Sequence, residues 1–293
     1  VYCPLSLLVA FAWRCAKHIR QATAANTANL LFGLRIFPFV VSATVTVCFA
    51  FPSFWLLERK SPDEDIGTFI LALCSLLILG AGLFRVREVQ ARTTRTVAQW
   101  LGPATFGADA RMPSLRASEG APPLVVLGFW KPRVMISNLA TAVLTDDELR
   151  VAVRHELSHA RSWDNLKRVM VSLTPFPGMN GIESAWQESA ELAADEAAVV
   201  NREDALDLAS ALIKLSRSTQ RWPKPLLATG LVSGSCSISL RVRRLLQWHT
   251  VGRHAQRSWR WSLLLLSSMF LSIACNYGAT LVLTHRLTEL LVP

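Results

Sequence analysis

Three long apolar runs set the first limit on how this chain can fold. Ile36–Leu57, Ile66–Phe84 and Trp261–Thr284 contain no charged residue, and they are bracketed by Arg35 and Glu58, Asp65 and Arg85, and Arg260 and His285. A run of about 20 apolar residues is enough to cross a hydrocarbon core of about 30 Å as a helix. Buried helices of a large soluble core would carry polar residues at helical spacing, which these runs lack. A fourth apolar segment, residues 2–13, is shorter. Its basic neighbours Arg14, Lys17 and Arg20 follow it rather than precede it, the reverse of a cleaved signal peptide. It reads as a first membrane helix. The expected fold is thus a membrane α-helical protein of about four transmembrane helices, at about 2–13, 36–57, 66–84 and 261–284. Residues 1–100 would hold three of them and a basic linker. Residues 259–293 would hold the last and a short tail, leaving 101–258 as a domain-sized insert.

The net charge of +10 could mean nucleic acid or membrane. Nucleic-acid binding wants a basic patch with interleaved aromatics on a soluble fold. Here the charge sits beside the apolar runs instead. Arg14, Lys17, Arg20 and Arg35 lie between the first two, and Arg85, Arg87, Arg92 and Arg95 follow the third. Arg241, Arg243, Arg244, Arg253, Arg257 and Arg260 precede the last, whereas the segment between runs two and three carries Glu58, Asp63, Glu64 and Asp65. That is the positive-inside pattern. It places loop 14–35 and segment 85–260 inside, loop 58–65 and both termini outside. The expected partners are therefore a lipid bilayer and no direct nucleic acid. The expected location is a bacterial-type inner (plasma) membrane, crossed several times, with the insert cytoplasmic. Cys48, Cys74 and Cys275 fall in apolar runs and no C-x-x-C occurs, so neither a disulfide framework nor a thiolate zinc site is indicated.

The insert has its own order. Residues 101–123 are loop-like, and two short β-runs, 124–127 and 134–137, flank a turn with Gly128 and Pro132. Thr145 with Glu148 three residues on makes a capping box, predicting a helix from about Asp146 to Trp163. A breaker at 174–181 precedes a second helix, about 182–200, and a third covers 204–217. The insert reads as mainly α, in the α+β class.

On the first of these helices stands RHELSH, residues 154–159. His155 and His159 are four apart, so both imidazoles leave one helix face a turn apart and can reach one ion. Glu156 stands where a general base would hold water. This H-E-x-x-H spacing reads as Zn2+ plus base. Zinc needs a third protein ligand, and the second helix offers Glu188, Glu191, Asp195 and Glu196. A solvated acidic face is the plain alternative, and spacing alone leaves Glu188 and Glu191 both open. Asp164, just past the first helix, is either a partner of a ligand or a helix-end residue.

The run NLATAVLTDDELRVAVRHELSHARSWDN, followed by AELAADEAAV, resembles the BlaR/MecR-type antirepressor family of integral-membrane zinc metallopeptidases, which are gluzincin-like. It is similar, more distantly, to CAAX-prenyl-protease and HtpX-like membrane proteases. The resemblance implies a zincin-like metallopeptidase domain. It makes Glu191 the third metal ligand, through Glu191-x-x-Ala194-Asp195, and Asp195 a partner orienting a ligand histidine. Glu156 is then the catalytic base and later the acid. Strand 133–137 is implied to pair with an extended substrate by β-augmentation. The His-Pro pair that the more distant relatives often carry before the arginine motif is missing, since SGSCSIS stands there. That leaves Arg241 as either an oxyanion stabiliser or a structural pin. After the last apolar run only residues 285–293 follow, so the chain is expected to be a short form lacking the C-terminal sensor domain, and β-lactam sensing is not carried over.

The function expected is a zinc-dependent endopeptidase that cuts a cytosolic regulator, repressor-like, or a membrane protein, within signal transduction. A transcriptional repressor is the candidate protein substrate, and a separate sensor the candidate partner. The alternative is a catalytically idle signalling or scaffold subunit with a structural zinc site. Glu156 argues against it, because a structural site has no use for a base.

Overall fold

A computed structural model describes residues 2–15, 23–52, 66–100, 114–117, 122–127, 133–176, 178–217, 228–229, 237–248 and 277–291. The chain divides into two compact units. One comprises Val1–Leu5, Phe37–Leu79 and Val251–Pro293; the other comprises Ser6–Ile36 and Gly80–Thr250. In both, the described residues are mostly helical. The helices are α1 (Tyr2–Cys15), α2 (Ala24–Val45, continued by a π-helical stretch Thr46–Ala50), α3 (Ile66–Trp100), α4 (Asn138–Val143) and α5 (Asp146–Arg161). They continue as α6 (Asp164–Leu173), α7 (Asn180–Ala198), α8 (Arg202–Ser216), α9 (Ile238–Leu246) and α10 (Tyr277–Leu291). In the first unit the Tyr277 hydroxyl of α10 donates to the Cys48 carbonyl at 2.8 Å, and its ring lies 5.7 Å from that of Phe49.

The second unit is built around α5. Thr145 Oγ1 accepts from the Glu148 N–H, and the Glu148 carboxylate accepts from the Thr145 N–H, closing the capping box. The same buried carboxylate takes Ser210 Oγ at 2.5 Å and Lys214 Nζ at 2.8 Å, so the cap also ties α5 to α8. The apolar face of α5 presents Val151 and Ala152 to a core that includes Leu124, Ala205, Leu208, Leu212 and Leu245, all buried. Each fully buried aliphatic side chain stabilises by about 1.5–3 kcal/mol. A second cluster joins Val9 and Ala10 of α1, Ala28 and Leu31 of α2, and Ile182, Trp186 and Ala190 of α7, with Met179. One face of α7 is thus buried along its length.

A four-stranded sheet lies beside α5, in the order β1-β3-β2-β4. β1 (Ser114–Ala117) runs parallel to β3 (Arg133–Ser137), β2 (Leu124–Leu127) antiparallel to β3, and β4 (Ala228–Thr229) antiparallel to β2. Strand 133–137 is therefore interior, paired on both sides. Its backbone groups are already engaged and it cannot take an extended substrate by β-augmentation. The loop-like reading of 101–123 missed the partner, β1.

Among the described residues one helix, Ala24–Phe49, is long and apolar enough to cross a membrane. Four spans are not established. The segment at 2–13 is a helix of 14 residues, about 21 Å at 1.5 Å per residue, and its Val9 and Ala10 are buried in the second cluster. Residues 66–84 begin α3, and most of 261–284 lies outside the described residues. Loop 14–35 needs correction: its second half is helix, and Arg35 is not a loop charge. It is 2% exposed and ion-paired with Glu183 at 2.7 Å, because a guanidinium inside an apolar helix must find acceptors.

Candidate metal centre

The uninterrupted helix α5 delivers His155 and His159 to one face, and α7 brings Glu191 across from them. The Nε2 atoms of the two histidines are 3.3 Å apart. Glu191 places Oε2 3.7 Å from His155 Nε2 and Oε1 3.7 Å from His159 Nε2. These three groups are buried, and they form a set that could hold a metal ion. Glu188 is half-buried and outside that set. Glu156 is fully buried beside them.

The outer ring nitrogens decide the tautomers. His155 Nδ1 lies 3.0 Å from Asp195 Oδ1 and His159 Nδ1 2.7 Å from Asp164 Oδ2. A neutral imidazole that donates from Nδ1 keeps a lone pair on Nε2. With both imidazoles neutral, two lone pairs and a carboxylate converge on one small buried space. Three acceptors facing one another at that range repel unless a proton or a metal ion lies among them. Ligands about 2.05 Å from a tetrahedral ion sit about 3.3 Å from each other, and the His155–His159 separation matches that.

Asp164 and Asp195 are held in turn. Arg241 of α9, buried, donates from Nε to Asp195 Oδ2 at 2.8 Å and from Nη2 to Asp195 Oδ1 at 2.6 Å. Its Nη1 is 3.1 Å from Glu191 Oε2. The geometry thus places Arg241 as a pin for two carboxylates. Asp164 opens α6, a helix that sequence reading passed over. The signal was present: Leu166, Val169, Met170 and Leu173 repeat at helical spacing. The turn before it holds Trp163 at φ 57, a left-handed conformation that is costly for a residue with a side chain.

Burial opposes charge on His155, but its contacts with Asp195 and Glu191 outweigh this and push its pKa up to about 9. Burial likewise favours the neutral Glu191, yet His155, His159 and Arg241 hold its carboxyl well below the usual range. Asp195 is lowered against burial by Arg241 and His155. The metal-free site thus takes up a proton that an ion would have to displace. Apparent metal affinity should rise about tenfold per pH unit and level off near pH 9. A competition titration with zinc at several pH values checks this. A flat profile would remove His155 from the ligand set.

Residues 66–245, more than half of the chain, match the sequence model of the BlaR1 peptidase M56 family. The chain belongs to that family. The match spans α3 through most of α9 and so contains every residue of the cluster. Membership of the BlaR1 peptidase M56 family brings a membrane-associated, metallopeptidase-type function in signalling. It agrees with the resemblance seen in the H-E-x-x-H run. No curated protein matches the chain.

Proposed function

We propose that this chain is an integral-membrane zinc endopeptidase. It hydrolyses a peptide bond of a cytosolic, repressor-like regulator or of a membrane protein, at the inner face of a bacterial-type membrane. The observation that carries the reading is the convergence of two Nε2 lone pairs and the Glu191 carboxylate beside buried Glu156. His155, His159 and Glu191 would hold the zinc, which when bound supplies a Lewis acid for water and carbonyl. Asp195 and Asp164 fix the histidine tautomers and keep both Nε2 atoms aimed inward. Arg241 keeps Asp195 and Glu191 charged and in place. Glu156 takes a proton from the attacking water and returns it to the leaving amine.

The inner-face assignment rests on charge. Arg85, Arg87, Arg92 and Arg95 are exposed along α3, where they suit an anionic leaflet. Substrate docking needs a sheet position other than β3.

The test is reversible loss of metal. Full-length protein in detergent, stripped by a chelator, should stop cleaving candidate regulators and regain cleavage with one equivalent of zinc. A zinc-loaded protein that cleaves neither those candidates nor a broad peptide library would instead support the idle-scaffold reading.

A further inference from the structure

Arg35 is the one charged residue in the apolar helix Ala24–Phe49. Burying a guanidinium costs several kcal/mol unless each donor finds a partner. Arg35 finds its partners on two other helices. Nε donates to Glu183 Oε1 at 2.7 Å, in the first turn of α7. Nη1 donates to Thr174 Oγ1 at 3.2 Å, and Nη2 to the carbonyls of Thr174 at 2.6 Å and Val171 at 3.4 Å. Those carbonyls close the C-terminal end of α6, where helical carbonyls lack partners and the dipole favours a cation.

One guanidinium therefore joins the end of α6 to the start of α7. Each of these helices reaches the metal centre at a different point. α6 begins at Asp164, which holds His159, and α7 carries Glu191 and Asp195. A second contact from α2 lies at the other end of α6. Lys167 Nζ is 3.3 Å from Asn29 Oδ1, 5.6 Å above the Phe32 ring and 3.6 Å from Asp164 Oδ1. α3 meets the same last turn of α6 at Gly82, where an added Cβ would lie 2.4 Å from the Leu173 carbonyl oxygen. α6 is thus fixed at both ends by helices outside the motif-bearing segment.

We propose that Arg35 is a positioning residue for the metal centre, setting where Asp164 holds His159 relative to Glu191 by clamping α6 to α7. Through it the apolar helix α2 governs the geometry offered to the ion. The proposal rests on the metallopeptidase reading above. A merely structural Arg35 would support stability and leave the ion's surroundings unchanged.

The experiment compares wild type, Arg35→Gln, Arg35→Lys and, as a control for general destabilisation, Leu215→Ala in the other core. Full-length proteins in detergent are loaded with Co2+ for visible absorption, and zinc affinity is read by chelator competition alongside thermal melting. Arg35→Gln should weaken zinc about tenfold and alter the cobalt spectrum. Arg35→Lys, which can keep Glu183 but not the whole fork, should fall between it and wild type. Leu215→Ala should lower the melting temperature with the cobalt spectrum unchanged. Wild-type spectra and affinities in both Arg35 variants would overturn the proposal. If Arg35→Gln does not fold, Arg35→Lys decides alone by the same two readings. A wild type that binds neither metal would sink the metallopeptidase reading itself, an outcome distinct from a metal-binding protein indifferent to Arg35.

Discussion

Glu156→Gln should keep its zinc and lose peptide hydrolysis by about a hundred- to ten-thousandfold, the range spanned by removal of a general acid–base. Glutamine has nearly the shape of glutamate, so a side chain fully buried beside His155 can be replaced without a cavity. It leaves the two Nε2 atoms and Glu191 where they are. It cannot accept a proton at neutral pH, so the step that generates the nucleophile loses its base. At about 1.4 kcal/mol per decade, the barrier rises by about 3–6 kcal/mol. Zinc content by mass spectrometry and cleavage rate on one preparation give both numbers. A variant that cleaves at the wild-type rate would show that Glu156 is not the base. A variant that loses zinc would show that the carboxylate supports the ligand set.

Glu191→Ala should release the metal, weakening zinc by more than about a hundredfold, and Glu188→Ala should hold it as wild type does. The two residues share one helix, three positions apart, and they separate cleanly in space. Glu191 faces both Nε2 atoms at 3.7 Å, whereas Glu188 is half-buried and not part of the cluster. Loss of Glu191 also strips a counter-charge from buried Arg241, which lies 3.1 Å away. Arg241 keeps its two bonds to Asp195, so it stays paired, and the melting temperature should fall by less than for a buried charge left alone. Chelator competition and thermal melting measure the two effects. Zinc lost from Glu188→Ala and kept by Glu191→Ala would reverse the assignment.

Legibility in the sequence followed the range of each interaction. His155, Glu156 and His159 lie within one helical turn, and the Thr145–Glu148 box that starts the helix is three residues long. Such chemistry can be read locally. Glu191 could be narrowed only to a choice with Glu188, because helical spacing says which residues share a face and not which neighbour that face meets. β3 was visible as a strand, but its interior place depends on a parallel partner in a segment rich in turn formers. α6 was passed over although its apolar residues are periodic, since the turn before it holds tryptophan rather than the glycine that φ 57 would lead one to expect. Arg35 was misplaced for a different reason. Hydropathy treats a charge as the end of an apolar run, and only the tertiary partners Glu183 and Thr174 let the helix continue through it.

The two-residue turn of Ser162 and Trp163 makes chain length itself part of the metal site. α5 ends at Arg161 and α6 starts at Asp164, so the bond between His159 and Asp164 is fixed by register rather than by reach. One residue inserted here would shift the start of α6 as a unit relative to the end of α5 and draw Asp164 away from His159, while both helices kept every side chain they now have. Variation in this protein can therefore accumulate on the exposed faces of α5 and α6 far more freely than it can lengthen the short bend between them.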